Sequence, residues 1–363
     1  FKRHPVGRFV QPLFRRFDRG QFEFYAYGNE VDEDEVTREI RANATGYRDL
    51  TGLTDEEAAH QIRADQIDLL VDLSGHTAGN RLGVFALRPA PIQATYLGYS
   101  GTTGLPAIDF LIADSVTVPP GHEQLYHERI ARMDRTLYCW PYPPPGEEGE
   151  REASETFIFG STNNLAKISA ATLDGWAAII NQVPHAELWI KAPTLDMAPA
   201  REHLIARLEA RGVDLERVRL FGYLSPEMHE AFQRSVDVIL DSFPYGGATT
   251  TLDALRHGTP VLTQVGPRYT SRMSASMLVA ADLADWIAPD ETTFINQAVE
   301  IATDRERVQA ARMHLRENLA ARALFDQESF VRAFETTCRG MLTQLQAESA
   351  GIIRQPVAVS STT

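Results

Sequence analysis

Several features that mark common protein classes are scarce or missing in this chain of 363 residues. Cysteine occurs only twice, as Cys139 and Cys338, without the paired spacing of a zinc site or a disulfide framework. No apolar run reaches the ~18 residues of a transmembrane helix, and the first residues contain no apolar signal-peptide segment. We therefore expect a cytoplasmic protein that has no membrane partner.

Positive charge is also in deficit, because the formal net charge is −14. This balance argues against general binding to nucleic acid or anionic lipid, but it allows a local basic pocket for a phosphate. The sequence contains no His-Glu-x-x-His, Gly-x-Ser-x-Gly or Walker motif. Asp32-Glu33-Asp34 matches the metal-binding Asp-x-Asp motif, but it lies in an acidic helix start. We interpret it as a solvated cap and expect neither a metal nor another cofactor.

Strand and helix patterns alternate through both halves of the chain, which predicts an α/β protein with parallel sheets. Strands are predicted at 67–73, where we expect burial on both faces, at 92–96 and at 218–221. Helices are predicted to start after Thr54, at Ser169 and at Pro226.

A length of 363 residues indicates about two domains. Prolines and then acidic residues between 141 and 152 have a linker composition. The predicted order is an N-terminal Rossmann-like domain over 1–140, a linker over 141–155, a C-terminal Rossmann-like domain over 156–325, a helix over 326–346 and a disordered tail over 347–363. Facing units of this kind would form a cleft between them.

The chain begins with a basic turn and then a predicted helix that is interrupted or reset at Pro12. A doubly wound domain should instead open with a strand. We therefore expect that the first strand, and an upstream domain, are missing from this sequence.

The stretch from Phe243 to Leu255 is the first candidate site. It follows an apolar run that predicts a buried strand, and it leads into a helix that ends near Gly258. Gly246 and Gly247 would let backbone N–H groups approach an anion, and the helix start favours negative charge. Hydroxyls and a carboxylate in the first helical turn would suit a diphosphate with a ribose: Thr249, Thr250, Thr251 and Asp253. The alternative is that Thr250 and Asp253 form a capping box that only starts a helix.

Further candidates follow other predicted strands. Residues 159–167 leave a strand through a turn at Gly160 and Ser161, and they end in Lys167, an ammonium that could neutralise phosphate charge or could simply be solvated. His76 could donate to a ligand or bind a loop carbonyl. His4 could act as a general base or be incidental. His60 and His229 lie on predicted helices, where an exposed position is the alternative.

With these motifs in view, the chain resembles the catalytic region of the O-linked N-acetylglucosamine transferase and SPINDLY family over nearly all of residues 1–345. The residues of the shared motifs are closer to those of the SPINDLY branch, and the short linker is similar to that of bacterial members. Members usually carry tetratricopeptide repeats upstream. The resemblance rests on these strings: Gly75-His76-Thr77-Ala78, Arg88-Pro89-Ala90-Pro91-Ile92-Gln93, Gly101-Thr102-Thr103-Gly104-Leu105-Pro106, Asn163-Asn164-Leu165-Ala166-Lys167 and Phe243-Pro244-Tyr245-Gly246 with Thr249-Thr250-Thr251.

The resemblance implies a GT-B fold and inverting, metal-independent transfer of a sugar from a nucleotide diphosphate to serine or threonine of a protein. It also implies residue roles. Those near the diphosphate and ribose are Lys167 at the leaving group, Thr249, Thr250 and Asn164 at the phosphates, and Asp253 at the ribose. Those elsewhere are His229 at the base, His4 near the reacting centre, Arg81 at the base or sugar, Gly98 lining the sugar pocket, and His76, which matches SPINDLY.

The departures from the family pattern bear on the donor and the base. Ala248, Pro226 and His60 stand where animal members have a phosphate-side histidine, a base-contacting lysine and a proposed basic aspartate. We expect GlcNAc transfer from UDP-GlcNAc. O-fucosylation from GDP-fucose is an alternative, and so is a nucleotide-sugar-binding scaffold without catalysis. The acceptor's proton could pass to His4, to the diphosphate or to water.

Overall fold

The structure is a computed structural model that describes residues 1–141, 156–318 and 323–349. The chain divides into two compact units. The first contains residues 1–115, 123–137 and the segment from 328 onward, and the second contains residues 116–122 and 138–327. The predicted linker beyond Pro141, and the predicted tail beyond Ser349, lie outside the described residues.

The first unit contains parallel strands with helices between them. Strands β1 and β2 pair with each other, and β3, β4, β5 and β6 form a second sheet in that order. The elements are α1 (Pro5–Arg16), β1 (Tyr25–Gly28), α2 (Glu35–Asn43), β2 (Gly46–Asp49), α3 (Asp55–Ala64), β3 (Leu69–Asp72), α4 (Leu82–Ala86), β4 (Ile92–Tyr96), β5 (Phe110–Asp114) and β6 (Arg129–Met133).

Two sequence predictions in this unit are wrong. Helix α1 continues through Pro12 instead of being interrupted there. The residues on either side of Pro12 are buried, so packing offsets the ~3 kcal/mol cost of a proline in a helix interior. Strand β3 is buried on one face only: Leu70 is buried, but Leu69 and Val71 on the other face are partly exposed.

The final helix joins this first unit, although it comes last in the chain. Helix α12 spans Gln327–Ser349. Its Glu335 accepts a hydrogen bond from the Asp18 amide at 2.7 Å, and its Phe334 ring lies 5.4 Å from that of Tyr96. The helix predicted over 326–346 is therefore confirmed as a helix, and its contacts attach it to the N-terminal half.

The second unit contains one six-stranded parallel sheet in the order β9-β8-β7-β10-β11-β12. Counted within the unit, this is the Rossmann order 3-2-1-4-5-6. Its elements are β7 (Phe157–Ser161), α5 (Ala170–Gln182), β8 (Ala186–Lys191), α6 (Ala198–Glu209), β9 (Val218–Phe221), α7 (Pro226–Ser235), β10 (Val238–Leu240), α8 (Thr249–Arg256), β11 (Val261–Gln264), α9 (Met273–Ala280), β12 (Ile287–Ala288), α10 (Glu291–Thr303) and α11 (Arg305–Asn318).

The strand order places a topological switch point between the two central strands. Strands β7 and β10 are neighbours, and every residue of both is buried. After β7 the chain builds toward β9, and after β10 it builds toward β12. The loops that leave β7 and β10 therefore diverge, and such a divergence leaves a crevice at the carboxyl edge of the sheet.

Several predicted helix starts are confirmed by their caps. Thr54 caps α3 in a capping box with Glu57, and Ser169 caps α5. Helix α7 begins at Pro226 after a Ser225 cap. Asp34 caps α2 by accepting from Val36 and Thr37, so the acidic Asp-x-Asp string is a cap. Within the described parts of the chain, no helix combines the length and the apolar character needed to cross a bilayer.

The capping box of α3 provides a test of local stability. Thr54→Ala removes the acceptor for the Glu57 amide and should lower the free energy of unfolding by about 1 kcal/mol. Thr54→Ser keeps the hydroxyl and should stay close to the parent. Urea unfolding followed by circular dichroism would measure both. Equal losses in the two variants would contradict the assignment of the stabilisation to the cap.

Candidate functional site

The Asp241 carboxylate, which follows β10, organises the carboxyl edge of the six-stranded sheet. It is only 4% exposed. Its donors come from four different segments: Asn163 Nδ2 at 2.9 Å, Ser242 N at 2.9 Å, Gly247 N at 2.8 Å, Thr263 Oγ1 at 2.8 Å and Ser274 Oγ at 2.5 Å. A buried charge is tolerated where it is hydrogen-bonded in this way. The carboxylate therefore ties the ends of β7, β10 and β11 to helix α9.

The glycine loop between β10 and α8 is held from both sides. The Gly246 amide donates to the Thr270 carbonyl at 2.9 Å, and the Gly247 carbonyl accepts from Ser274 at 3.0 Å. A Cβ on Gly247 would lie 2.5 Å from the hydroxyl oxygen of Thr251. Only glycine fits such an approach without displacing the helix start. The loop thus brings backbone against the first turn of α8.

The start of α8 differs from the capping-box alternative. Ala248 is the N-cap and makes no side-chain cap. The Thr250 hydroxyl donates to Asn163 Oδ1 at 2.8 Å, and the Thr251 hydroxyl pairs with Ser274 at 2.8 Å. The capping box is therefore wrong. Without a capping side chain, the amides of the first turn have neither an intrahelical nor a cap partner and can face an anion.

Lys167 reaches this loop from the end of β7. Its Nζ donates to the Gly246 carbonyl at 2.9 Å and lies 4.1 Å from the centroid of the Tyr245 ring. Burial lowers the pKa of Lys167 to about 8, and the negative charge of Asp241 opposes that shift. The solvated alternative is wrong for Lys167. The structure brings together the two loops that were predicted separately.

Other residues near Lys167 have local structural roles. Asn164 is exposed, and its Oδ1 caps the short 3-10 turn by accepting from Ala166 at 3.0 Å. Gly160 and Ser161 belong to strand β7 and do not form the predicted turn. A Cβ on Gly160 would lie 2.7 Å from the side chain of Val236, the C-cap residue of helix α7, so close packing against that residue favours the glycine.

Asp253 forms a second polar centre, one turn into α8 and not in its first turn. His229 Nε2 lies 2.5 Å from Oδ2, Gln233 donates to Oδ2 at 3.2 Å, and Arg256 donates to Oδ1 at 3.0 Å. Burial alone would raise the pKa of Asp253, but the His229 hydrogen bond and the nearby positive groups outweigh it and hold the pKa at about 2. A ribose hydroxyl could use the remaining lone pair of Oδ1.

Arg81 and His76, the polar candidates after β3, are already bonded within the first unit. Arg81 uses all five of its N–H donors on Asp55, Asn29 and three backbone carbonyls. His76 Nε2 lies 2.8 Å from the Thr103 carbonyl oxygen, which confirms the loop-carbonyl alternative. Ligand contacts of Arg81 and His76 stay predictions, and a contact by Arg81 would have to replace one of these bonds.

The remaining candidates of the first unit have simple placements. A Cβ on Gly98 would lie 1.8 Å from the Leu73 carbonyl oxygen, so two backbones meet there. His4 caps α1, and burial, with the charge of Lys2, lowers its pKa. His60 is exposed on α3. The neutral imidazole of His4 is compatible with a base, and the roles of His4 and Gly98 stay predictions.

The sequence analysis missed three residues that build the site: Asn163, Asp241 and Ser274. Asp241 had a visible signal, because it is a carboxylate placed between an apolar run and a glycine loop. Asn163 belongs to one of the family motifs, but the sequence analysis assigned it no role. Ser274 had no signal, since it lies on a helix 33 residues from the Asp241 that it binds.

The second unit is thus a Rossmann sheet with a glycine loop, a helix start and a lysine at its switch point, which is the place where open α/β sheets bind ligands. The family described as Glycosyl transferase family 41 matches residues 1–141 and 151–334. The chain belongs to this family. The chain has two α/β units with parallel strands, and with the structural neighbours below this gives the protein the GT-B fold.

Known relatives extend this picture. The chain is 34% identical over 346 residues to "Probable UDP-N-acetylglucosamine--peptide N-acetylglucosaminyltransferase SPINDLY" of Solanum lycopersicum, covering 93% of this chain and 37% of that protein. The SEC protein of Arabidopsis thaliana is 27% identical, with 92% of this chain and 35% of that protein covered. This chain thus spans little more than a third of such relatives.

Solved structures show the same relationship. A mutant O-GlcNAc transferase of Thermobaculum terrenum superposes with a TM-score of 0.89 at 37% identity, covering 94% of this chain and 66% of that one. Anabaena HepE, solved with UDP and glucose, gives a TM-score of 0.55 at 12% identity, covering 92% of this chain and 95% of that one. The second match shows a shared fold alone.

The Asp241 network can be tested against a matched residue at the other end of β10. Asp237 is also buried, and its Oδ2 accepts from the Ile158 amide at 2.7 Å. Asp241→Asn places an NH2 group against existing donors, which should cost about 3 kcal/mol of stability and weaken UDP binding at least tenfold. Asp237→Asn should cost similar stability but leave UDP affinity unchanged.

Thermal unfolding and calorimetric titration would separate the two effects. Equal UDP affinity in the parent and in Asp241→Asn, at a temperature where both are folded, would contradict the role of Asp241 in shaping the site.

Proposed function

We propose that this chain is a protein O-glycosyltransferase domain that moves GlcNAc from UDP-GlcNAc to serine or threonine of acceptor proteins in the cytoplasm. The observation that carries the proposal is the Lys167 ammonium on the glycine loop, 2.9 Å from the Gly246 carbonyl oxygen, together with the uncapped helix start of α8 that follows this loop. The printed names of the relatives support the donor and the peptide acceptor.

The diphosphate would bind where α8 begins. Amides of the first helical turn and the helix dipole favour a phosphate there, and the Thr249 and Thr250 hydroxyls line the same turn. Lys167 would neutralise the charge that grows on the leaving UDP as the bond to the sugar C1 breaks. These groups would supply the positive charge, so we propose that transfer needs no metal. Asp253 would bind the ribose, and His229 would pack against the base.

Transfer would proceed with inversion at C1. The acceptor hydroxyl oxygen forms a bond to C1 on the face opposite the diphosphate, while the bond between C1 and the diphosphate oxygen breaks. The hydroxyl proton must leave in the same step. His4, the diphosphate itself and water are the candidate acceptors for that proton. UDP departs with the bonding electron pair, next to Lys167.

The donor can be tested directly by calorimetry with UDP and with GDP in the presence of EDTA. Tighter binding of UDP than of GDP, followed by GlcNAc transfer to peptide, is the expected result. Tighter binding of GDP would overturn the proposal in favour of fucosyl transfer. Nucleotide binding with no turnover of either donor would overturn it in favour of a binding scaffold.

The role of Lys167 gives a kinetic prediction. Lys167→Ala should lower kcat by at least about 100-fold, because one donor to a developing charge is worth ~3 kcal/mol. Lys191→Ala is the matched control, since Lys191 ends the neighbouring strand β8 and is the one other lysine of this unit. Its effect on kcat should be far smaller. Unchanged turnover in a folded Lys167→Ala variant would rule out the role.

The lowered pKa of Lys167 gives a pH prediction. The ammonium form prevails below a pKa of about 8 in the free protein, so kcat/KM should fall as the pH rises through that value. Lys167→Arg keeps its charge across this range, and its remaining activity should lose that alkaline limb. Profiles of kcat/KM between pH 6 and 10 would show the difference. The same limb in both proteins would assign it to another group.

A further inference from the structure

We propose that Tyr245 is a positioning residue for Lys167: its ring face keeps the ammonium charged and turns one of its N–H bonds toward the diphosphate position. The first part concerns the protein alone. The second part rests on the proposed function.

Two contacts from one loop fix the position of the Lys167 ammonium. Lys167 Nζ donates to the Gly246 carbonyl at 2.9 Å and lies 4.1 Å from the centroid of the Tyr245 ring. An ammonium group has three N–H bonds. With one on the carbonyl and one directed at the ring face, the third is left for a ligand oxygen. The two contacts thus fix the direction in which Lys167 offers its charge.

The surrounding charges do not hold the ammonium in place by themselves. The nearest anion is Asp241 at the end of β10, whose oxygens are occupied by five other donors. From α6, Arg207 donates to the Ile168 carbonyl at 3.2 Å and adds a positive charge one residue away. Burial disfavours the charged form of Lys167, although Asp241 opposes this. The Tyr245 ring quadrupole contributes an attraction directly at the amine.

The exposure of Tyr245 indicates that its ring is not needed for the core. Tyr245 is 41% exposed, while the flanking loop residues Gly246 and Gly247 are buried. A large aromatic side chain left at the surface of a glycine loop calls for a local explanation, and the contact with Lys167 supplies it. The same exposure makes Tyr245 replaceable without a cavity.

The first experiment reads the pKa of each lysine without any substrate. The sequence contains three lysines, Lys2, Lys167 and Lys191, so acylation by acetic anhydride at graded pH, followed by peptide mass spectrometry, resolves each one. In Tyr245→Leu the pKa of Lys167 should fall by about 0.5 to 1.5 units, the shift that a cation–π contact of this kind supports. Lys2 and Lys191 are internal controls and should not move.

Tyr245→Phe is the matched variant because it keeps the ring face and removes only the hydroxyl. It should preserve the Lys167 pKa. Tyr245→Met provides a second ring-free variant should Tyr245→Leu be unstable. An unchanged Lys167 pKa without the ring, or an equal fall in Tyr245→Phe, would overturn the proposal.

The second experiment tests the catalytic consequence. The alkaline limb of kcat/KM for GlcNAc transfer should move to lower pH in Tyr245→Leu by the same amount as the Lys167 pKa, while Tyr245→Phe keeps the parental limb. A shifted pKa with an unshifted limb would overturn the catalytic part. Absence of transfer in the parent would instead contradict the proposed function, and the labelling result would stand independently.

Discussion

A single buried carboxylate, that of Asp241, determines the geometry of the candidate site. Its cost in a dry environment is offset only while every donor is in place. Those donors lie on the ends of β7, β10 and β11 and on α9. The glycine loop therefore cannot move without removing a hydrogen-bond donor from a buried charge. The start of α8 follows this loop and is therefore held in place as well. Donors held in place in this way can stabilise a developing charge without reorganising.

The first unit uses the same device at its own strand ends. Asp72, 4% exposed, accepts from the Ser74 and Gly75 amides and from the Thr95 hydroxyl. Glu128, 3% exposed, accepts from Thr102 and Thr103 and so holds the 101–104 loop. In both units, polar glycine-rich loops are held in place because buried carboxylates accept hydrogen bonds from their amides and hydroxyls. A chain with a net charge of −14 thus uses some of its acidic residues as internal anchors.

Local patterns were enough to predict most elements. Apolar runs predicted strands at 92–96 and 218–221 with the observed bounds, and Thr54, Ser169 and Pro226 located helix starts. The glycine loop, the helix after it and Lys167 were likewise visible, because turn residues and helix starts depend on neighbours in sequence. Strands β2 and β6 went unpredicted, since they are short and only partly apolar, and helix α4 went unpredicted because it has only five residues.

The sequence by itself thus determined the fold class, the family resemblance and the two loops that carry the site. Only the tertiary structure decided which side chains those loops contact. Asn163 binds Asp241 across 78 residues, and His76 binds Thr103 across 27. Core packing keeps α1 helical on both sides of Pro12, and burial lowers the pKa of Lys167. Periodicity reports the local backbone, whereas hydrogen-bond partners and dielectric environment depend on strand order, which brings distant segments together.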